Sequence, residues 1–162
     1  IYAYIYSAGN ERLSEILDVS VEEAKRIRDK FEKAIPALKN LKNAVAVKYR
    51  NQKWIYGLDK RKLIPRSEHS SLNLLIQSCG ALIIKMATVI LHKKLKEKDY
   101  DKDTCTMVAH VHDELQLQCK SAVADAVGSL AVQSIKDAGK HFNLRCELDA
   151  QYKIGNNWAD TH

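Results

Sequence analysis

The chain has 162 residues, 46% hydrophobic and 28% charged, which excludes a disordered or fibrous polypeptide and fits one domain, or one with an appendage. A net charge of +6 and a pI of about 9.1 favour a polyanionic partner such as nucleic acid, which is a statement about association and not about fold. No apolar run is long enough to span a bilayer, no signal peptide opens the chain, and Cys79, Cys105, Cys119 and Cys146 form no CxxC pair of the kind structural zinc uses.

The sequence opens at Ile1, without Met, inside "IYAYIYSAGN", and so reads as a piece of something longer. Tyr2 and Tyr6 are four apart and share a helix face, on which two rings could stack on bases or join a core. Gly9-Asn10 supplies a stop, and "ERLSEIL" is a short second helix. Ser20 with Glu23 is a capping box for a third, whose buried face is Val21, Ala24, Ile27, Phe31 and Ile35. Pro36 starts a fourth, reaching about Arg50; "WIYGLD" and "KRKLIPRS" then read as a short hairpin or loop.

One long helix is predicted from about Ser67 to Lys98, with Leu72, Leu75, Ile76, Cys79, Ile83, Ala87, Ile90, Leu91 and Leu95 inward. Lys93, Lys94, Lys96 and Lys98 crowd its C-terminal end, where the dipole favours cations. On the same helix His69, Asn73 and Gln77 stand in file, a row of donors and acceptors suited to the minor groove, or simply an exposed face. "MVAHVHDELQLQC" reads as a hairpin turning at His112 and Asp113, with Cys105 and Cys119 opposite each other as small buried thiols. A helix of about twenty residues from Ser121 follows, with Val123, Val127, Leu130, Ile135 and Ala138 on one stripe. Last comes a strand of strict alternation from Leu144 to Lys153. Helices followed by a helix–hairpin–helix–strand layer predict an α+β fold, an antiparallel sheet with helices on one face.

The hairpin tip is the sharpest local signal. Adjacent strand residues point to opposite faces, so Asp113 and Glu114 share an ion only if the turn bends the backbone. A carboxylate pair on a stiff tip suits a hard cation such as Mg²⁺, although Asp and Glu are also ordinary turn residues.

Taken in order, "YAYIYSAG", "GLDKRKLIPRS", "HSSLNLLIQSCGALI", "VHDE" and "GNNWADTH" resemble family A DNA polymerases, the bacteriophage replicative branch above all, over essentially the whole chain. The resemblance implies a partial fingers subdomain over 1–65 and the main palm portion over 66–162. It makes Asp113 the catalytic aspartate of the palm hairpin, a ligand of both Mg²⁺ ions, with Glu114 as accessory carboxylate and His112 on the primer-end backbone. Tyr2 would pack on the incoming dNTP's sugar and base, and a Tyr there implies relaxed rejection of dideoxynucleotides. Tyr6 would stack near the templating base, and His69, Asn73 and Gln77 would face the minor groove. Glu68 stands where the family has Pro, which bears on where the long helix starts, and His162 matches a terminal His common in the family.

The implied reaction is template-directed nucleotidyl transfer to a primer 3′ end, with ions about 3.5–4 Å apart clamping the attacking and leaving oxygens. The family's first catalytic aspartate and its triphosphate-binding Lys and Arg would lie upstream of Ile1. The chain alone is therefore expected not to polymerise, and its partners are primer-template DNA, dNTP and the missing N-terminal portion. Cytoplasmic location, in the host cell if the source is viral, goes with that reading. The rivals are a non-catalytic nucleic-acid-binding or assembly subunit keeping the fold, and a metal-dependent hydrolase built on the hairpin tip.

Overall fold

Chain reversals here use no left-handed glycine. In the computed structural model, which describes residues 2–6 and 8–161, no glycine has a positive φ; the left-handed positions are Asp18, Lys53, Lys60, Asp99, His112 and Asn143. Asp18, Lys53, Asp99 and Asn143 follow helix ends, while Lys60 and His112 turn hairpins. The expectation for His162 lies outside the described residues. The fold divides into two units, Ile1–Cys79 and Gly80–His162.

The first unit carries α1 (Tyr2–Ile5), α2 (Asn10–Leu17), α3 (Val21–Ala34) and α4 (Pro36–Gln52). It then forms the β1 (Ile55–Tyr56) and β2 (Lys62–Leu63) ladder, the hairpin of the two expected forms, hairpin or loop, and enters α5 (Glu68–Glu97). Ser20 Oγ accepts from the Glu23 N–H at 3.2 Å, the predicted cap of α3. The predicted inner face of α3 holds only in part. Ala24 is fully buried, but Val21, Ile27 and Ile35 are exposed. Tyr4 anchors α1: its ring lies 5.1 Å from that of Phe31, its hydroxyl donates to Glu32 at 3.1 Å, and Lys42 Nζ sits 4.5 Å over the ring. Burial first, and then Glu32, pushes the Tyr4 hydroxyl above its ordinary pKa. Serines start α5 reciprocally: Ser67 Oγ accepts from the Ser70 N–H at 3.2 Å, and Ser70 Oγ from the Ser67 N–H at 3.0 Å. Glu68 sits inside that box, so the helix starts without a proline.

The second unit takes the rest of α5, then β3 (Cys105–Val111), β4 (Glu114–Cys119), a 3₁₀ turn, α6 (Ala124–His141) and α7 (Trp158–Thr161). Leu91, Leu95, Cys105 and Val127 form its core, with Met107, Leu115, Leu117 and Leu130 packed against them. Cys105 and Cys119 are register partners, as the sequence predicts, and both are free thiols. Burial, then the neighbouring Cys119, pushes the Cys105 thiol up.

Two expectations fail here. Residues 144–153 form no strand, and among the described residues the sheet is two separate two-stranded ladders. The alternation holds only in part: the odd positions from 145 to 153 are all exposed, but so are Cys146 and Tyr152, and only Leu144, Leu148 and Ala150 are half-buried. A Cβ on Gly128 would meet the Tyr152 ring at 2.4 Å, and one on Gly139 would meet Leu148 at 3.0 Å. Alternation reports one-sided burial, and a ladder needs a backbone partner besides. The other failure concerns apolar length. By length and composition α5 is able to cross a membrane, with mean hydropathy 2.0 over a stretch only 17% buried. Lys85, Thr88 and Gly80 break the run without lowering its average enough.

Candidate active site

The β3–β4 hairpin closes with Val111 opposite Glu114, leaving His112 and Asp113 as a two-residue turn. His112 has φ of +54°. Positive φ at the first turn residue matches the primed hairpin turns, in which glycine is the usual occupant. A histidine held there costs on the order of 1–3 kcal/mol. A β-bulge between Met107 and Ala109 precedes the turn, and the bulged Val108 is exposed. Such bulges locally raise the twist and re-aim side chains.

Both neighbours of Asp113 are held by residues two positions away. His110 Nε2 donates to the His112 carbonyl oxygen at 2.9 Å, and the Gln116 amide donates to the Glu114 carboxylate. Asp113 is exposed, and its side chain makes no hydrogen bond or ion pair among the described residues. A hard cation of the Mg²⁺ type takes one or two carboxylates and fills its shell with water and substrate phosphates. Asp113 with Glu114 fits that partial donor set. Among the described residues no group of three or more His, Cys, Asp or Glu is arranged to hold a metal.

In the first unit Tyr2 and Tyr6 face outward, 80% and 54% exposed, so the core tyrosine of this helix is Tyr4, which the four-residue spacing overlooked. Of the row on α5, His69 and Gln77 are exposed, while Asn73 is half-buried with its Oδ1 enclosed and without a hydrogen-bond partner among the described residues. Gln77 Nε2 donates to the Tyr6 hydroxyl at 2.8 Å, joining two of the predicted residues across 71 positions of sequence. His69 and Asn73 make no such link to Tyr2 or Tyr6. Sequence reasoning passed over His110, Gln116 and the Val108 bulge. The i, i+2 spacing of His110 from His112 and Gln116 from Glu114 was the available signal, because such residues share a strand face.

The family model for "DNA polymerase family A" matches residues 1–160. The chain belongs to that family. The chain is 36% identical over 182 residues to the DNA-directed DNA polymerase of Escherichia phage T7, and 35% identical to that of Enterobacteria phage T3; each alignment covers 100% of the chain and 26% of the relative. The segment thus spans about a quarter of the length of these relatives. Its fold is similar to the polymerase domain of Pol1 from M. smegmatis, solved with DNA primer-template and dNTP, with a TM-score of 0.75 over 85% of the segment and 26% of that chain, at 21% identity.

Proposed function

We propose that the segment is the C-terminal part of a DNA-directed DNA polymerase, which adds nucleotides to a primer 3′ end under template direction. Asp113 carries the reading: an exposed carboxylate on a strained, braced turn, with no side-chain partner among the described residues, in a chain of family A. Residues 1–65 would be fingers and 66–162 the main palm portion. The rest of a family A polymerase, on the same or another polypeptide, would be needed for turnover, and the enzyme would act in the cytoplasm, the host's if it is viral.

In this reading Asp113, with Glu114 beside it, would share the holding of two Mg²⁺ ions with an aspartate of the missing N-terminal part, and the ions would supply Lewis acidity and charge neutralisation for phosphoryl transfer. The protein's own work is then positioning, since this reaction needs little covalent help. His112 would bear on the primer-end backbone. Exposed Tyr2 would pack on the incoming dNTP and Tyr6 near the templating base. His69, Asn73 and Gln77 would meet the minor groove, where acceptors are nearly common to all base pairs, and so would read shape without reading sequence. Because Gln77 and Tyr6 are bonded, template stacking and minor-groove contact would be coupled.

The test is primer extension by the segment joined to a polypeptide carrying the remaining part. Asp113→Ala should lower turnover by about a thousandfold or more while primer-template affinity stays within about twofold. Retention of activity within about tenfold, roughly 1.4 kcal/mol of barrier, removes Asp113 from its role. Absence of extension in every such mixture would instead favour a scaffold that kept the fold.

A further inference from the structure

We infer that His110 is a positioning residue for Asp113, an inference that rests on the catalytic reading of Asp113 just given. The strand register and a hydrogen bond converge on it. The register places His110 opposite Leu115, on the hairpin face whose next members, Met107 and Leu117, lie against the core. The chain reaches that arrangement only after Val108 has been pushed out as a bulge, so the side chain facing this way beneath the turn is His110 and not a neighbour. Finally, the imidazole spends a donor on the His112 carbonyl oxygen, at 2.9 Å, and His112 is the turn residue held at φ +54°.

That carbonyl belongs to the peptide joining His112 to Asp113. Fixing it fixes the plane from which the Asp113 side chain departs, because a peptide unit is rigid and only its flanking dihedrals are soft. A non-glycine residue at positive φ has more populated alternatives nearby. With the bond gone, the turn would sample them and the Asp113 carboxylate would wander from its working place. Gln116 does the corresponding work on the other strand by engaging Glu114. The arrangement holds the flanks and leaves Asp113 free.

The experiment is steady-state primer extension in the active assembly, with His110→Ala, His110→Phe and His110→Gln, at a series of Mg²⁺ concentrations. His110→Ala and His110→Phe should lower kcat by about tenfold to a hundredfold, the scale of a misplaced catalytic group. They should also raise the half-saturating Mg²⁺ concentration and leave primer-template affinity unchanged. His110→Gln, whose amide places a donor near the position of Nε2, should recover to within about threefold of the parent. Full activity in His110→Phe, or a Gln variant as impaired as Phe, overturns the inference. If His110→Ala does not fold, the Phe and Gln pair, which both fill the site, decides alone. Asp113→Asn run in parallel separates the two claims. Its loss beside an unaffected His110→Phe refutes only the positioning role, whereas its retention refutes the catalytic reading itself.

Discussion

The two hairpins of this chain carry an aspartate at or near the turn, and they treat it in opposite ways. Between β1 and β2 the loop runs from Gly57 to Arg61, the Gly57 N–H donating to the Arg61 carbonyl at 2.9 Å and the Lys60 N–H to that of Gly57 at 3.0 Å. Asp59 is spent inside this loop: its Oδ1 accepts from the Arg61 N–H at 3.2 Å and its Oδ2 meets the Arg61 guanidinium. Burial works to raise the Asp59 carboxyl, but the Arg61 side chain and backbone N–H outweigh it and hold the group below its ordinary value. Between β3 and β4 no such partner reaches Asp113 among the described residues, and the bracing falls on the residues flanking it. Each turn has one non-glycine residue at positive φ, Lys60 at 64° and His112 at 54°. A carboxylate already neutralised by its own loop is structural; one that the fold braces and leaves open is available to a ligand. In the proposed function that difference makes one hairpin a scaffold and the other a site.

The contrast breaks most visibly in turnover. Asp113→Ala should remove about three orders of magnitude or more from primer extension, about 4 kcal/mol of transition-state stabilisation, while Asp59→Ala stays within about threefold. Comparable losses in both would erase the distinction. The next effect is on stability and concerns the floor beneath the second hairpin. Leu91 is fully buried in the cluster that contains Cys105, so Leu91→Ala should lower unfolding free energy by about 2–5 kcal/mol in a denaturant titration.

A smaller effect sharpens the comparison by treating the two turns alike. Lys60→Gly and His112→Gly should each raise stability by about 0.5–1 kcal/mol, the relieved left-handed strain less the entropy cost of glycine. Only His112→Gly should reduce turnover, by about tenfold. The smallest effect lies in acid. Since the folded Asp59 value is lowered, its stabilisation is present above the unfolded value near about 3.9 and is lost as pH falls through the folded one. Wild type should therefore exceed Asp59→Asn in stability at pH 7, and the gap should shrink as pH falls through the folded Asp59 value. A gap that widens in acid would reverse the sign and refute the assignment.

Much of this was legible in the residues. The caps, the long helix and both hairpins follow from side-chain chemistry that acts within a few positions, as with Ser20 on Glu23. Family membership was legible from motifs spread over the whole chain, with "VHDE" and the glutamine-bearing helix together far more specific than either. What stayed hidden depends on contacts between distant positions. The alternation of Leu144 to Lys153 recorded packing over Gly128 and Gly139, which only coordinates distinguish from strand pairing. The spacing of Tyr2 and Tyr6 selected a face but not its orientation, and Phe31 and Glu32 put Tyr4 inward. The bulge at Val108 was not read because "TMVAHV" has no glycine to mark it, and the three apolar residues between Thr106 and His110 also suit a buried strand.

Cleavage by iron-generated hydroxyl radicals tests the site most directly, with Fe²⁺ replacing Mg²⁺ in the active assembly bound to primer-template and dNTP, and backbone cuts mapped by mass spectrometry. Cuts should cluster within a few residues of Asp113, spare Gly57–Arg61, and vanish in Asp113→Asn. Cutting at the first hairpin as strong as at the second, or a pattern indifferent to Asp113→Asn, would show that no cation is held at this turn.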